Sequence, residues 1–189
     1  MNQKPLFTTK KIVLAALMAA LTVVGSYIRV VLPLDIAGTT AFHLGNIMCA
    51  LSGILLGPWL GGLAAGLGSA LYDMLNPLYI SEAWITFLMK GAYGLSVGLV
   101  VCCGKKPWSY VKALLATCVG AASYAALYLA KSFFYSGLLI HGLTVDAAAL
   151  TVVGKLPATA FNAAVAIIFA PVLAVSLRTA LKKARLSLD

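Results

Sequence analysis

The sequence predicts an all-α integral membrane protein with six transmembrane helices, and three observations support this fold class. The chain of 189 residues is 62% hydrophobic and 10% charged, whereas a soluble domain carries about 25% charged residues. Its apolar runs approach the roughly 20 residues that a helix needs to cross the hydrocarbon core. Small residues recur every fourth position in LGPWLGGLAAGLGSALYDM, a spacing that lets helices approach closely in lipid.

Six segments in succession form a single transmembrane domain over residues 1–189. The first is rich in alanine and too long for a signal peptide, so we expect it to be retained. The second is short, and we expect it to be broken or partly re-entrant. The third ends near Asp73, and the sixth contains Pro157 and Pro171, so we expect that helix to open locally. The predicted spans are roughly residues 11–32, 43–57, 59–76, 83–103, 111–135 and 146–177.

Basic residues predict the orientation of these spans. An even number of spans puts three basic clusters on one side, which the positive-inside rule makes cytoplasmic. We therefore expect a multi-pass protein of the bacterial plasma membrane with cytoplasmic N and C termini. The net charge of +9 then reflects topology, and short basic flanks without interleaved aromatics argue against nucleic-acid binding. The clusters are Lys4, Lys10 and Lys11; Lys105, Lys106 and Lys112; and Arg178, Lys182, Lys183 and Arg185.

Four further cations, Arg29, Lys90, Lys131 and Lys155, lie in the outer halves of predicted spans. A charge within the bilayer is costly and usually faces a cavity or a partner. Lys90 follows the loop after Asp73, so these two residues either form a structural latch or reach a ligand. Arg29 and Lys131 either snorkel to the outer interface or contact a ligand. Lys155 lies deeper, where snorkelling explains it less well.

The predicted outer loops add polar and aromatic side chains on the same side of the membrane. His43 is either an ordinary interfacial residue or a ligand contact, and Asn46 needs a hydrogen-bond partner inside an apolar run. The aromatic residues either stack on a flat heterocycle or form an interfacial belt. The candidate substrate-binding residues are Arg29, His43, Asn46, Asp73, Tyr79, Trp84, Lys90, Lys131, Lys155 and Asn162.

The sequence carries no catalytic signature. It lacks the GxSxG and HExxH patterns and a Gly-rich phosphate loop that ends in Lys-Ser/Thr. Its four cysteines have neither CxxC nor Cys/His metal spacing. We therefore predict no catalytic residue, no metal and no cofactor. Any uphill transport then needs another subunit or an ion gradient.

Three stretches make the chain similar to a known family. The first is KKIVLAALMAALTVV, an alanine-rich helix after basic residues. The second is FHLGNIMCALSGILLGPWLGGLAAGLGSALYDML, in which a short helix, a Gly-Pro turn and a small-residue helix lead to an Asp. The third is ITFLMKGAYGLSVGLV, with Lys before Gly. Together they resemble the S components of energy-coupling factor (ECF) transporters, in particular the riboflavin-type branch, over nearly the whole chain.

The resemblance implies a six-helix S-component bundle that binds a vitamin or related micronutrient from outside. It also implies a partner, a coupling module of one membrane subunit and two ATPases. In that family small residues of the first helix face the membrane subunit, which here implies partner contacts at Ala15, Ala19, Ala16 and Ala20. The same spacing also suits packing between helices of one chain.

A self-sufficient secondary transporter is the alternative function. Its typical feature is a pair of inverted repeats with matched broken helices, yet the third helix has no counterpart of Pro157. The substrate itself is left open by the sequence. The outer cations favour a carboxylate, a phosphate or an electron-rich carbonyl heterocycle, and riboflavin, pantothenate and folate-like compounds all meet that description.

Overall fold

A computed structural model describes residues 8–33, 39–103 and 108–184 of the chain. A short 3₁₀ turn covers Ile80–Glu82, and a π-helical segment, Lys131–Ile140, extends the fifth helix. The helices are α1 (Thr9–Tyr27), α2 (Gly45–Leu56), α3 (Pro58–Met74), α4 (Ala83–Cys102), α5 (Tyr110–Ala130) and α6 (Val145–Lys183), and the strands are β1 (Arg29–Pro33) and β2 (Thr39–His43). Of the basic residues named above, Lys4, Lys105, Lys106 and Arg185 lie outside the described residues.

Short polar side chains fix where three of the helices begin. The hydroxyl of Thr8 accepts a hydrogen bond from the backbone N–H of Lys11 at the start of α1. Ser109 caps α5 in the same way, and Thr144 caps α6. Such caps satisfy backbone donors that have no partner in the first helical turn.

After α1 the chain forms a β-hairpin rather than further turns of a membrane helix. β1 pairs antiparallel with β2, with Arg29 opposite His43. The run VVLP after Arg29 is apolar and partly β-branched, so it suits a strand as well as a buried helix. The first predicted span therefore ends at Tyr27 instead of residue 32, and the hairpin is a departure from the all-α prediction.

Five stretches of the described chain are long and apolar enough to cross a membrane, which makes the protein a multi-pass membrane protein. α2 and α3 share one of these stretches because only Gly57 separates them. Gly57 has a φ of 77°, a conformation that glycine adopts without strain. The chain folds back there, since a Cβ added to Gly61 of α3 would lie 2.6 Å from the Cα of Gly53 in α2.

The two helices predicted to be interrupted are continuous. α2 is an unbroken helix of 12 residues, which is too short to cross the whole hydrocarbon core at about 1.5 Å per residue. α6 runs without a break through Pro157 and Pro171, so the predicted local opening is not seen. Each proline removes one donor from the helix, and the remaining hydrogen bonds keep its geometry.

Glycines let α3 pack closely between α1 and α4. A Cβ on Gly66 would lie 2.8 Å from the carbonyl oxygen of Phe87 in α4, and a Cβ on Gly68 would overlap the carbonyl oxygen of Ala19 in α1. Only a residue without a side chain allows the backbones to approach so closely. The glycines of this segment therefore let α3 pack at close range on its neighbours in the bundle.

This packing divides the four alanines predicted to contact a partner into two that are packed within the chain and two that are exposed. Ala19 is buried against α3, and Ala15 packs against the core of the bundle. Ala16 and Ala20 are exposed on the other side of α1. The structure therefore uses Ala19 for contacts within the chain, and the exposed small-residue pair is Ala16 and Ala20.

Candidate binding cavity

A partly open cavity of about 450 Å³ lies at one end of the bundle. Each helix contributes to its wall, from Ser26 on α1 to Lys155 on α6, and the hairpin contributes Arg29 and His43. The volume falls in the range of roughly 300–1,000 Å³ that is typical of sites for small molecules. This end of the bundle is opposite to the one that carries Lys10 and Lys183, where α1 begins and α6 ends.

All the predicted substrate-binding residues except Trp84 line this cavity. Trp84 lies outside it, because the indole is 57% exposed and packs edge-on against Tyr135 with ring centroids 6.0 Å apart. The predicted residues that the cavity brings together are Arg29, His43, Asn46, Asp73, Tyr79, Lys90, Lys131, Lys155 and Asn162.

Arg29 connects the hairpin to α3 and to the chain that follows it. Its guanidinium donates hydrogen bonds to the phenol oxygens of Tyr72 at 2.6 Å and Tyr79 at 2.7 Å. The same guanidinium lies 4.8 Å from the centre of the Tyr79 ring. Cation–π contact and two neutral hydrogen-bond partners stabilise the charge locally, so Arg29 is held against the cavity wall.

Lys90 of α4 is held at the cavity by α2 and α5. Its ammonium group donates a hydrogen bond to Oδ1 of Asn46 and lies 4.0 Å from the centre of the Tyr124 ring. This contact supplies the partner that Asn46 needs within an apolar helix. The ion pair between Asp73 and Lys90 that we considered from the sequence is not formed in the described part of the chain, although both residues line the cavity.

Lys131 has a carboxylate partner that the sequence did not reveal. Its Nζ lies 2.5 Å from Oε2 of Glu82, in an ion pair whose side chains are 9% and 30% exposed. Glu82 belongs to the turn before α4, and Lys131 begins the π-helical segment after α5. The pair therefore joins two chain segments at the rim of the cavity, and Lys131 does not simply extend towards the outer interface.

Asn162 of α6 holds the hairpin in place. Its Oδ1 accepts a hydrogen bond of 2.9 Å from the backbone N–H of His43, and its Nδ2 donates one of 2.7 Å to the carbonyl oxygen of Ala41. Phe42 adds an edge-on contact with Phe161, with centroids 4.7 Å apart. These contacts use both ends of the amide, so Asn162 positions β2 as one wall of the cavity.

The imidazole of His43 faces the cavity in a neutral form. Its Nδ1 is buried and has no hydrogen-bond partner among the described residues. Desolvation lowers the pKa of His43 well below its usual range, and the nearby charges of Lys90 and Arg29 lower this pKa further. A neutral imidazole offers one donor and one acceptor, so His43 has hydrogen-bonding capacity that the protein leaves unused.

A wall of tyrosines on α5 was missed by the sequence reasoning. Tyr124 and Tyr128 line the cavity, and Tyr93, Tyr124 and Tyr128 form a stacked series with centroid spacings of 5.5 and 6.0 Å. The helical spacing could have revealed them, since residues 124, 128 and 131 are four and three positions apart and therefore lie on one helical face. Lys131 was identified there, and its helical neighbours were not.

Several apolar helices long enough to cross a membrane, together with a cavity of ligand size at one end of the bundle, place the protein in the class of multi-pass membrane proteins. Comparison with known proteins gives the family. The description "ECF-type riboflavin transporter, S component" belongs to a family whose sequence profile matches residues 6–179. The chain belongs to this family, which confirms the resemblance found in the sequence. It is a family of transporter subunits and not of enzymes.

Two relatives are similar over part of the chain. A protein of Pyrococcus woesei described as an "uncharacterized protein in gap 3′ region" is 33% identical over 118 residues, which cover 62% of this chain and 74% of the relative. A UPF0397 protein of Streptococcus gordonii is 34% identical over 94 residues, which cover 50% of this chain and 48% of the relative. Neither description states a substrate.

Proposed function

We propose that this protein is the substrate-binding subunit of an ECF-type importer. It captures a vitamin or related micronutrient from outside and delivers it with a coupling module of one membrane subunit and two ATPases. The observation that carries this proposal is the cavity, which is of ligand size and is lined by every helix of a chain that belongs to the S-component family. The chain has no nucleotide-binding loop of its own, so the proposed energy source is the partner module.

The proposed topology has six passes with both termini in the cytoplasm. The reversal at Gly57 turns α3 back along α2. We therefore count two passes there, although α2 by itself is shorter than the hydrocarbon core. An even number of passes puts the start of α1, with Lys10 and Lys11, on the same side as Lys182 and Lys183 at the end of α6. The positive-inside rule favours the cytoplasm for that side, and the cavity then faces outward.

The residues that line the cavity favour a flat, polar solute as the ligand. Arg29, Lys90, Lys131 and Lys155 provide hydrogen-bond donors, and Tyr124 and Tyr128 provide aromatic surface. A donor-rich wall favours carbonyl, carboxylate or phosphate groups on the ligand, and aromatic faces favour a planar ring. We propose the cavity-lining members of the predicted set as ligand contacts or as supports for them. Trp84 suits the aromatic belt at the membrane interface better.

Ligand retention is the first test of the proposed function. The full chain, purified alone in detergent, is extracted, and the small molecules released are identified by mass spectrometry. We expect a vitamin-like compound at close to one per chain. A chain that retains no such compound after expression in rich medium, and that binds none of riboflavin, pantothenate or folate, contradicts the proposal.

Reconstitution tests the dependence on partners. In vesicles, the protein alone is expected to bind solute without accumulating it, and uptake is expected to require the coupling module and ATP. Uptake into vesicles that contain this chain alone, driven by an ion gradient, would instead establish the self-sufficient secondary transporter.

A further inference from the structure

One corner of the cavity combines two lysines and two serines where the π-helical segment meets α6. We name this set, Lys131, Ser132, Ser136 and Lys155, the lysine corner. Lys131, Ser136 and Lys155 line the cavity, and Gly137 brings the two elements together, since a Cβ there would lie 3.0 Å from the Cβ of Ala148 on α6. π-Helical segments are rare and occur frequently at functional sites.

The corner has more positive charge than the protein neutralises. Glu82 pairs with Lys131, and in the described part of the chain no carboxylate lies within ion-pair distance of Lys155. Lys131 and its partner Glu82 act on Lys155 with opposite signs, so their ion pair does little to neutralise Lys155. Lys155 is nevertheless only 5% exposed, and a buried charge without a counter-charge in direct contact is unfavourable.

The lysine corner also contains hydrogen-bonding groups that lack partners among the described residues. The Nζ of Lys155 has one hydrogen bond in the described structure, a long one of 3.4 Å to Ser132 Oγ, although an ammonium group carries three donors. Ser136 is 6% exposed, and its Oγ has no partner among the described residues. Buried polar groups are normally hydrogen-bonded, so these unused groups indicate a site for an acceptor.

The other cavity cations are better compensated. Arg29 has two tyrosine hydroxyls and the face of the Tyr79 ring. Lys90 has the Asn46 oxygen and the face of Tyr124. The Tyr128 ring lies farther from the Lys155 ammonium, at 5.8 Å. The need for an external negative charge is therefore concentrated at Lys155.

We propose that the lysine corner binds an oxyanion of the solute, a phosphate or a carboxylate, and that the natural ligand is therefore an anion. This inference rests on the proposed function and adds the chemical class of the substrate. The cavity as a whole agrees with it, because its described lining contains four Lys or Arg residues and two carboxylates, a formal excess of two positive charges before any histidine is counted. The deep burial of Lys155 favours a solute over a lipid headgroup as the source of the anion.

The first experiment uses inorganic phosphate as the probe, so it does not depend on knowing the ligand. Thermal unfolding of the full chain in lipid-free detergent is followed as phosphate replaces chloride at constant ionic strength. Phosphate is expected to raise the unfolding temperature, and Lys155→Met is expected to weaken its apparent affinity at least about tenfold, the loss of one charge-assisted hydrogen bond. Lys182→Met, an exposed change on the same helix, is the matched control and should behave as wild type.

Two results would overturn the site. One is a phosphate effect no larger than that of chloride, and the other is an unchanged phosphate affinity in Lys155→Met. If Lys155→Met fails to fold, Ser136→Ala replaces it, because this smaller change removes only the unpartnered hydroxyl and is also expected to weaken phosphate binding. Short-chain phosphatidylglycerol is titrated in parallel. Displacement of phosphate by this lipid at lower concentration would assign the corner to a lipid headgroup and contradict a solute anion.

Mass spectrometry of the retained compound separates this inference from the proposed function. An anionic compound that is retained by wild type and lost from Lys155→Met supports both. An uncharged compound retained equally by both proteins leaves the importer proposal intact and refutes the oxyanion site. Phosphate binding that depends on Lys155, in a protein that neither retains a vitamin-like compound nor works with a coupling module, supports the site and refutes the proposed function.

Discussion

At the scale of single residues, the cavity is a place where charges are stabilised by neutral partners. Arg29 uses tyrosine hydroxyls, Lys90 uses an amide oxygen, and only Lys131 has a carboxylate at ion-pair distance among the described residues. Neutral partners do not neutralise the positive charge, so the cavity still attracts a negatively charged or carbonyl-rich ligand. This residue-level pattern explains why four cations lie far from the basic clusters at the start of α1 and the end of α6.

The neutral state of His43 predicts a pH dependence of stability. Because the pKa of His43 is lower in the folded protein than its usual value of 6.5, the unfolded chain binds the proton more readily. Stability is then fully present above about pH 6.5 and is lost as the pH falls towards the folded-state pKa, by up to about 1.4 kcal/mol per pH unit. Unfolding temperatures measured in detergent at about pH 7.5 and about pH 5 check this.

Two variants isolate the contribution of this histidine. His43→Gln keeps a polar side chain that does not titrate, and it should lose less stability on acidification than wild type. His141→Gln changes an exposed histidine at the same end of the bundle and should keep the wild-type response. An identical acid response in His43→Gln and wild type would show that other groups cause it.

At the scale of elements, sequence reasoning located the helices better than the connections between them. The apolar runs of α3, α4 and α5 were bounded to within a few residues, because burial in lipid demands continuous apolar helices. The hairpin was missed for two reasons. The apolar run after Arg29 suits the end of a helix as well as a strand, and residues 39–42 fell in a predicted loop between two spans. Strand pairing also depends on contacts distant in sequence. The partner of Lys90 was missed for the same reason, since Asn46 lies 44 positions away.

Close packing of α3 predicts that its glycines are sensitive to the smallest substitution. In Gly68→Ala the new methyl group overlaps the carbonyl oxygen of Ala19, and forced repacking of this kind costs about 1–3 kcal/mol. Gly91→Ala is the matched control, since its methyl group would meet the nearest atom, the carbonyl oxygen of Gly62, at an ordinary 3.6 Å. Unfolding temperature and yield in detergent should fall for Gly68→Ala alone. Equal stability of both variants would contradict the packing argument.

The hydrogen bonds between Asn162 of α6 and β2 predict a local effect on the mobility of the hairpin. Asn162→Ala removes the hydrogen bonds to His43 N–H and the Ala41 carbonyl, and each buried group left without a partner costs about 1–3 kcal/mol. Hydrogen exchange followed by mass spectrometry should show faster exchange of the hairpin peptide, with little change in α3. Thr159→Val provides the control, because the hydroxyl it removes has its one bond among the described residues within α6, to the Lys155 carbonyl. Unchanged hairpin exchange in Asn162→Ala would show that other contacts hold β2.

At the scale of the whole molecule, the protein is polar where the helices meet at one end and apolar around its circumference. Large exposed apolar side chains are distributed over the helices, among them Leu63 on α3, Leu99 on α4 and Ile168 on α6. Such a surface is typical of a body surrounded by lipid. The family implies association with an ECF module, so the next question is which face of the protein that module contacts.

The exposed pair on α1 gives the last prediction. Ala16 and Ala20 are four residues apart and form a shallow strip that lets another helix approach closely, whereas Ala19 is occupied by α3. Ala16→Trp should therefore reduce co-purification with the coupling module at least about tenfold, an energy of about 1.4 kcal/mol, while solute binding by the isolated chain stays at the wild-type level. Leu150→Trp, at an exposed apolar position of α6, enlarges a lipid-facing side chain elsewhere and should retain the module. If Ala16→Trp retains the module as well as Leu150→Trp does, the coupling subunit contacts another face, and the small-residue strip serves only the close fit of α1 in lipid.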